Sequence, residues 1–183
     1  ATVDTDGRLI RWSLESGPAT HVELPGPGGD VRRTALAISP NGEQAAVAYS
    51  DGRISLWECA SKTLVGESTA VKLSITALAF SPDGTQLAAA AGNQNSNLCI
   101  WRTGVLPERP IALTTKFFRT DRLCFRQDGK LIATSGVQAE VWDLTAREAT
   151  GMIAGVTIDA LTLLNGDRLA VGDDEDRPIL IYG

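Results

Sequence analysis

The chain has 183 residues, 43% of them hydrophobic and 21% charged, an ordinary globular composition in a chain long enough to bury a substantial core. No apolar run approaches the roughly 20 residues that span a membrane, and no charged leader followed by an apolar stretch opens the chain. A net charge of −5 argues against a nonspecific nucleic-acid binder, which needs clustered Lys and Arg to neutralise phosphates.

The first element is Ala1 to Trp12, ATVDTDGRLIRW, which lines up with Ala46 to Trp57 and reads as two strands about an Asp-Gly turn. Thr20 to Leu24 alternates with the period of two expected of a strand, and Pro25 to Gly29 is a loop after it. A fuller unit follows: Thr34 to Ile38, the turn Ser39-Pro40-Asn41-Gly42, Ala45 to Tyr49, the turn Asp51-Gly52, and Ile54 to Trp57. Leu64-Val65 then reads as an outer strand. Thr76 to Trp101 repeats the unit most clearly. In it, Thr76 to Phe80 is a strand, and Ser81-Pro82-Asp83-Gly84 places Pro where a type I turn wants φ of about −65° and Gly where the chain must enter positive φ. Leu87 to Ala91, small and apolar throughout, predicts a strand pressed on both faces by its neighbours. Leu98 to Trp101 ends the unit with a large aromatic.

Ile111 to Leu113 is the next outer strand, followed by a third copy through Arg122 to Phe125, Gln127-Asp128-Gly129, Leu131 to Thr134 and Glu140 to Trp142. Leu144 to Thr157 holds the last outer strand. A fourth copy runs through Ala160 to Leu163, Asn165-Gly166, Leu169 to Gly172 and Ile179 to Tyr182. The closing aromatics Trp12, Trp57, Trp101, Trp142 and Tyr182 recur at intervals of 45, 44, 41 and 40 residues, a period that means a propeller or an array. Residues 1–12 are thus the second half of a unit, and 13–57, 58–101, 102–142 and 143–182 are four full repeats, with no linker dividing them. Recurrence at one place in each repeat makes the four Trp structural, and Asp6 and Asp51 read as tight-turn residues.

With its Ser-Pro-Asp-Gly turn, its Asp-Gly turn six residues before a Trp and this period, the chain resembles WD40-repeat β-propellers over essentially its whole length. Bacterial-type propellers of related, YVTN-like families fit almost as well. The resemblance implies an all-β fold of four-stranded antiparallel blades. It also implies an Asp-His-Ser-Trp hydrogen-bond tetrad, at whose Asp position stand Asp6 and Asp51, more loosely Asn95 and Asp176, and at which Gly136 departs. No histidine fills the tetrad, because the single His21 falls in a predicted outer strand, and the closing Trp-Asp pair survives only at Trp142-Asp143. Ring closure in the family joins strands from the two chain ends in one blade. Four repeats and two further strands predict eighteen strands, hence an incomplete ring that is part of a larger propeller, about 20 residues short of closing.

Cys59, Cys99 and Cys124 are odd in number and lack CxxC spacing, which favours free thiols in a reducing compartment, with the cytoplasm as the default. His21 as a catalytic base has no nucleophile motif to accompany it, and a lone His on an outer strand is ordinarily a polar surface residue. Asp173 to Asp176 carries four carboxylates without the alternate spacing of calcium loops, so it reads as a solvated acidic turn. No metal or cofactor is expected. Lys116-Phe117-Phe118-Arg119 leads into the third repeat's inner strand, and Arg32-Arg33 holds the same place two repeats earlier. Arg32, Arg33, Phe117, Phe118 and Arg119 are therefore candidate protein-binding residues on one rim, aromatic and Arg anchors being the usual carriers of interface energy. The other reading of the two Phe rings is packing between neighbouring blades. The expected function is a non-catalytic interaction or scaffold module, part of a larger multidomain signalling or regulatory protein. Its partners would be other proteins or other domains of the same polypeptide, with neither nucleic acid nor membrane among them. The alternative is a ligand-binding or hydrolytic propeller enzyme.

Overall fold

The computed structural model of the chain describes residues 2–3, 8–11, 20–24, 30–69, 72–91, 97–106, 109–117, 119–154, 158, 160–163, 169–172 and 180–182. They form five antiparallel sheets, each running in chain order from one edge to the other. The first holds β1 (Thr2–Val3), β2 (Arg8–Arg11) and β3 (Thr20–Glu23). The second holds β4 (Arg33–Ile38), β5 (Gln44–Tyr49), β6 (Ile54–Glu58) and β7 (Thr63–Ser68). The third is β8 (Ile75–Phe80), β9 (Gln86–Ala91), β10 (Asn97–Arg102) and β11 (Ile111–Thr114). The fourth is β12 (Arg122–Phe125), β13 (Leu131–Ser135), β14 (Gln138–Asp143) and β15 (Glu148–Ala154), and the fifth is β16 (Ala160–Leu163), β17 (Leu169–Gly172) and β18 (Leu180–Tyr182). The only helical piece among the described residues is a single 3₁₀ turn, Thr103–Val105. No helix there is long and apolar enough to cross a membrane.

The first strand of each later sheet packs against the first strand of the next: β4 on β8, β8 on β12, β12 on β16. Sheets that meet along their inner strands in this way are blades about a common axis, so the fold is a β-propeller. Trp12, Asp6, Asn95, Phe118 and Asp173 to Asp176 lie outside the described residues, and for His21 and Tyr182 the backbone alone is described.

The core sits between blades. In β9, Leu87, Ala89 and Ala91 turn toward the second sheet, where they meet Ala46, Ala48, Ile54 and Leu56. Ala88 and Ala90 turn the other way, onto Leu131, Ala133 and Phe125 of the fourth sheet. The same division recurs in β5, with Ala46 and Ala48 on one side and Ala45, Val47 and Tyr49 on the other. A period of two with both phases apolar is what a strand sandwiched between sheets requires, and alanine lets the neighbours approach. Trp101 faces back onto the second sheet and Trp142 back onto the third, so each indole fills the gap behind its own blade.

The turns follow the residues. Gly42 N–H donates to the Ser39 carbonyl and Gly84 N–H to Ser81, at 2.8 and 2.9 Å, with φ of 73° and 71° at the two glycines, the left-handed region glycine enters without a Cβ clash. Ser81 Oγ donates to Asp83 Oδ1 at 2.5 Å and accepts from the Gln86 N–H at 2.9 Å. The Ser81 hydroxyl first, then the Thr85 N–H and hydroxyl, hold the Asp83 carboxyl below its ordinary range. The third hairpin keeps the same bond, Gly129 N–H to the Arg126 carbonyl at 3.0 Å, without the serine.

Two outcomes test this packing. Gly66 of β7 has Leu106 Cβ only 2.9 Å from where its own Cβ would stand, so Gly66→Ala should lower stability by about 1–3 kcal/mol through forced displacement of the third blade's connecting segment, read by chemical denaturation. Asp83, its folded pKa depressed, stabilises the protein above its unfolded value of about 3.9, and that contribution disappears as pH falls through the folded value. Asp83→Asn should therefore flatten the loss of melting temperature below about pH 4 relative to the parent.

Candidate functional site

In an antiparallel blade, the start of the first strand and the turn between the second and third lie at the same end. Segments 30–32, 72–74, 116–117, 119–121 and residue 158 therefore share one rim with turns 50–53 and 136–137.

Backbone hydrogen bonds tie this rim together. In the second blade the Arg32 N–H donates to Ser50 Oγ at 3.1 Å and the Ser50 N–H returns to the Arg32 carbonyl at 2.8 Å. In the fourth, Asp121 accepts the Gly136 N–H at 3.2 Å through Oδ2 and pairs with Arg119 Nε at 2.8 Å through Oδ1. Its own N–H reaches the Thr134 carbonyl at 2.7 Å. Where Gly136 departs from the expected Asp, a carboxylate from the entering loop thus supports the turn from the other side. Thr76, skipped in the β8–β9 ladder at a bulge, donates to the Thr120 carbonyl at 2.6 Å and so joins the third blade to the fourth.

The candidate residues separate on this frame. Phe117 is 5% exposed and sits in the core between the third and fourth blades with Leu113, Leu131 and Trp142, so its ring is packing and not surface. That placement removes it as an interface anchor: an apolar ring at this position gains more from the gap between two sheets than from water. Arg33 is half-buried, donating from Nη2 to the Leu24 carbonyl at 3.1 Å, which fastens β4 to the end of the first blade's outer strand. Arg32 is exposed, and the Arg119 side chain is 59% exposed beside Asp121.

Asp51 accepts from the Arg53 N–H at 3.1 Å and from Arg53 Nε at 2.7 Å within its own turn. Partial desolvation works to raise its pKa, but the Arg53 N–H and guanidinium outweigh it and hold the carboxyl below its ordinary value. The tetrad implied by resemblance does not form there, since the Trp57 indole N–H makes no hydrogen bond among the described residues.

Other rim residues carry no motif. Lys72 and Lys116 are exposed, and their side chains, with that of Arg32, have no carboxylate partner among the described residues. Leu73 and Val137 are 46% and 57% exposed. Behind Lys116 lies Glu140, 2% exposed, which accepts the Trp142 indole N–H at 3.1 Å and the Lys116 N–H at 3.4 Å. This buried carboxylate anchors the entering loop to the blade's closing tryptophan. Position alone in the repeat could have pointed to Glu140, since two residues before Trp57 and Trp101 stand Ser55 and Cys99.

Among the described residues, no three His, Cys, Asp or Glu side chains are placed to hold a metal ion. Burial pushes the Cys99 thiol up to about 11 and the Cys124 thiol to about 12, so both are protonated and poorly nucleophilic near neutrality. The three cysteines are free.

The family model "WD domain, G-beta repeat" matches residues 19–58 and 61–102. A chain of the crystal structure of the mitotic checkpoint complex superposes with a TM-score of 0.72 at 14% identity, over 88% of this chain and 51% of that one. The present chain thus spans about half the length of that chain. In all, 1244 chains of solved structures match, so the likeness reports a widely used fold. No curated protein matches the sequence.

Phe117→Ala should lower stability by about 3–5 kcal/mol, the cost of emptying a buried aromatic site, while Arg119→Glu should change it by no more than about 1 kcal/mol. Glu140→Ala leaves two N–H groups without an acceptor and should cost about 1–3 kcal/mol. Urea unfolding of the three variants checks the order.

Proposed function

We propose, for a chain whose residues 19–58 and 61–102 are WD40 repeats set in a β-propeller, that it serves as a non-catalytic interaction module presenting its loop rim to an acidic segment of another protein or of another domain of its own polypeptide. The observation that carries this reading is the set of exposed cations on one rim, Arg32, Lys72 and Lys116 with side chains that meet no carboxylate among the described residues and Arg119 beside Asp121, on the same rim as exposed Leu73 and Val137. Cations held near apolar side chains on hydrogen-bonded loops lose little freedom on binding, which favours association with a negatively charged surface. The patch is local and the chain as a whole is acidic at −5, which suits a protein partner better than a nucleic-acid backbone.

Membership in a larger multidomain signalling or regulatory protein accords with a chain that spans about half of its structural neighbour, itself part of an assembly. A cytoplasmic setting accords with three free cysteines.

The test is affinity capture from host lysate with the parent and with the variant Arg32→Glu, Lys116→Glu, Arg119→Glu, repeated at rising salt. Partner recovery should fall at least about tenfold for the variant and decline with salt for the parent, with melting temperature unchanged. Equal recovery at every salt concentration removes the rim as the binding face.

A further inference from the structure

We propose that the cleft on the third blade, beneath the loop that enters it, is a second docking site, which takes an acidic peptide segment carrying one apolar side chain. The site shares Lys72 and Leu73 with the rim and has its own floor on the third blade. Its floor is Ala91, Cys99 and Ala112, its walls Lys72, Leu73 and Arg109, and its volume about 580 Å³, within the usual range of ligand-binding clefts.

The hollow has a traceable cause. Two residues before the closing tryptophan, each blade pairs one residue of its third strand with one of its outer strand: Ser55 with Glu67, Cys99 with Ala112, Glu140 with Met152. Directly opposed residues share a sheet face. In the second blade Glu67 fills that place and accepts from Ser55 Oγ at 3.0 Å. In the fourth, Glu140 extends beneath the entering loop to the Lys116 N–H, with Met152 opposite. The third blade has the small Cys99 and Ala112 instead, so among the described residues the space under Lys72 and Leu73 has no side chain of comparable size.

The neighbouring blades show what such a space accepts. Both place a carboxylate there, and in the fourth blade a loop N–H binds it. In the third blade the cations lie at the mouth: Lys72 and Arg109 are exposed, and neither has a hydrogen-bond or ion-pair partner among the described residues. Lysine and arginine above a floor of alanine and cysteine complement a carboxylate beside an apolar group, the pattern of a short acidic peptide with a single leucine-sized residue. Leu73, at 46% exposure, offers that residue further apolar surface.

The probe is a fluorescein-labelled peptide of Asp and Glu around one central Leu, titrated with the whole chain at low salt and followed by anisotropy. Saturable binding is expected, weakened at least about tenfold by Ala112→Met and by Arg109→Glu. Met occupies the matching position of the fourth blade, so the first variant fills the hollow with a residue the fold already carries, and the second keeps the test open if the first lowers the melting temperature. Lys130→Glu, in the turn at the opposite end of the fourth blade, should leave the peptide's affinity unchanged, and the rim variant Arg32→Glu with Arg119→Glu is titrated beside it. The same peptide with Ser for Leu should bind at least about fivefold more weakly. Absence of binding, equal affinity after both cleft substitutions, or equal affinity of the Ser peptide overturns the proposal. Loss of binding in the rim variant alone places the peptide on the rim, which overturns the cleft site and leaves the proposed function standing.

Discussion

The structure depends on burying both faces of the middle strands. β5, β9 and β13 each give alternate side chains to the sheet before and the sheet behind, and most of those residues are fully buried. A blade by itself would expose one apolar face or both, so its stability is supplied by its neighbours. This dependence explains the residue choices. Alanine dominates β9 because the second and fourth sheets must both come close, while the larger volume is placed in Trp101 and Trp142, where the gaps widen and one indole spans them.

The same constraint governs the rim. Loops that enter the first strands are held in place because their first residues are already committed to inter-blade packing, as Phe117 is, or to the neighbouring turn, as Arg32 and Asp121 are. Exposed cations therefore project from backbone that has little freedom left to lose. Polar groups do the same work below the surface. Glu140 reaches from strand to loop, and the hydroxyl of Thr76, at a bulge in its ladder, reaches from blade to blade. The cleft beneath Lys72 marks the place where this filling stops, since Cys99 is too short to do what Glu140 does in the next blade.

The sequence by itself determined the class of fold, the strands, the turns and the role of the tryptophans. Each of these rests on local chemistry that repeats. Proline, serine, aspartate and glycine at fixed places in the Ser81 to Gly84 turn admit few backbone conformations, and two interleaved apolar phases in Leu87 to Ala91 leave only a sandwiched strand. Residues that act through partners far along the chain were decided by the tertiary structure alone. Phe117 carried two readings, surface anchor or blade packing, and Leu131 and Trp142 settle it because they complete a pocket that no local pattern reveals. Lys72 and Leu73 looked like ordinary loop residues until β11 brought Arg109 and Ala112 against them. Asp121 and Glu140 likewise show their roles only once their acceptor oxygens meet N–H groups 15 and 24 residues away. Local sequence limits what a segment of backbone can do, whereas burial and pairing belong to side chains from several blades at once, and their meeting depends on how the sheets stack.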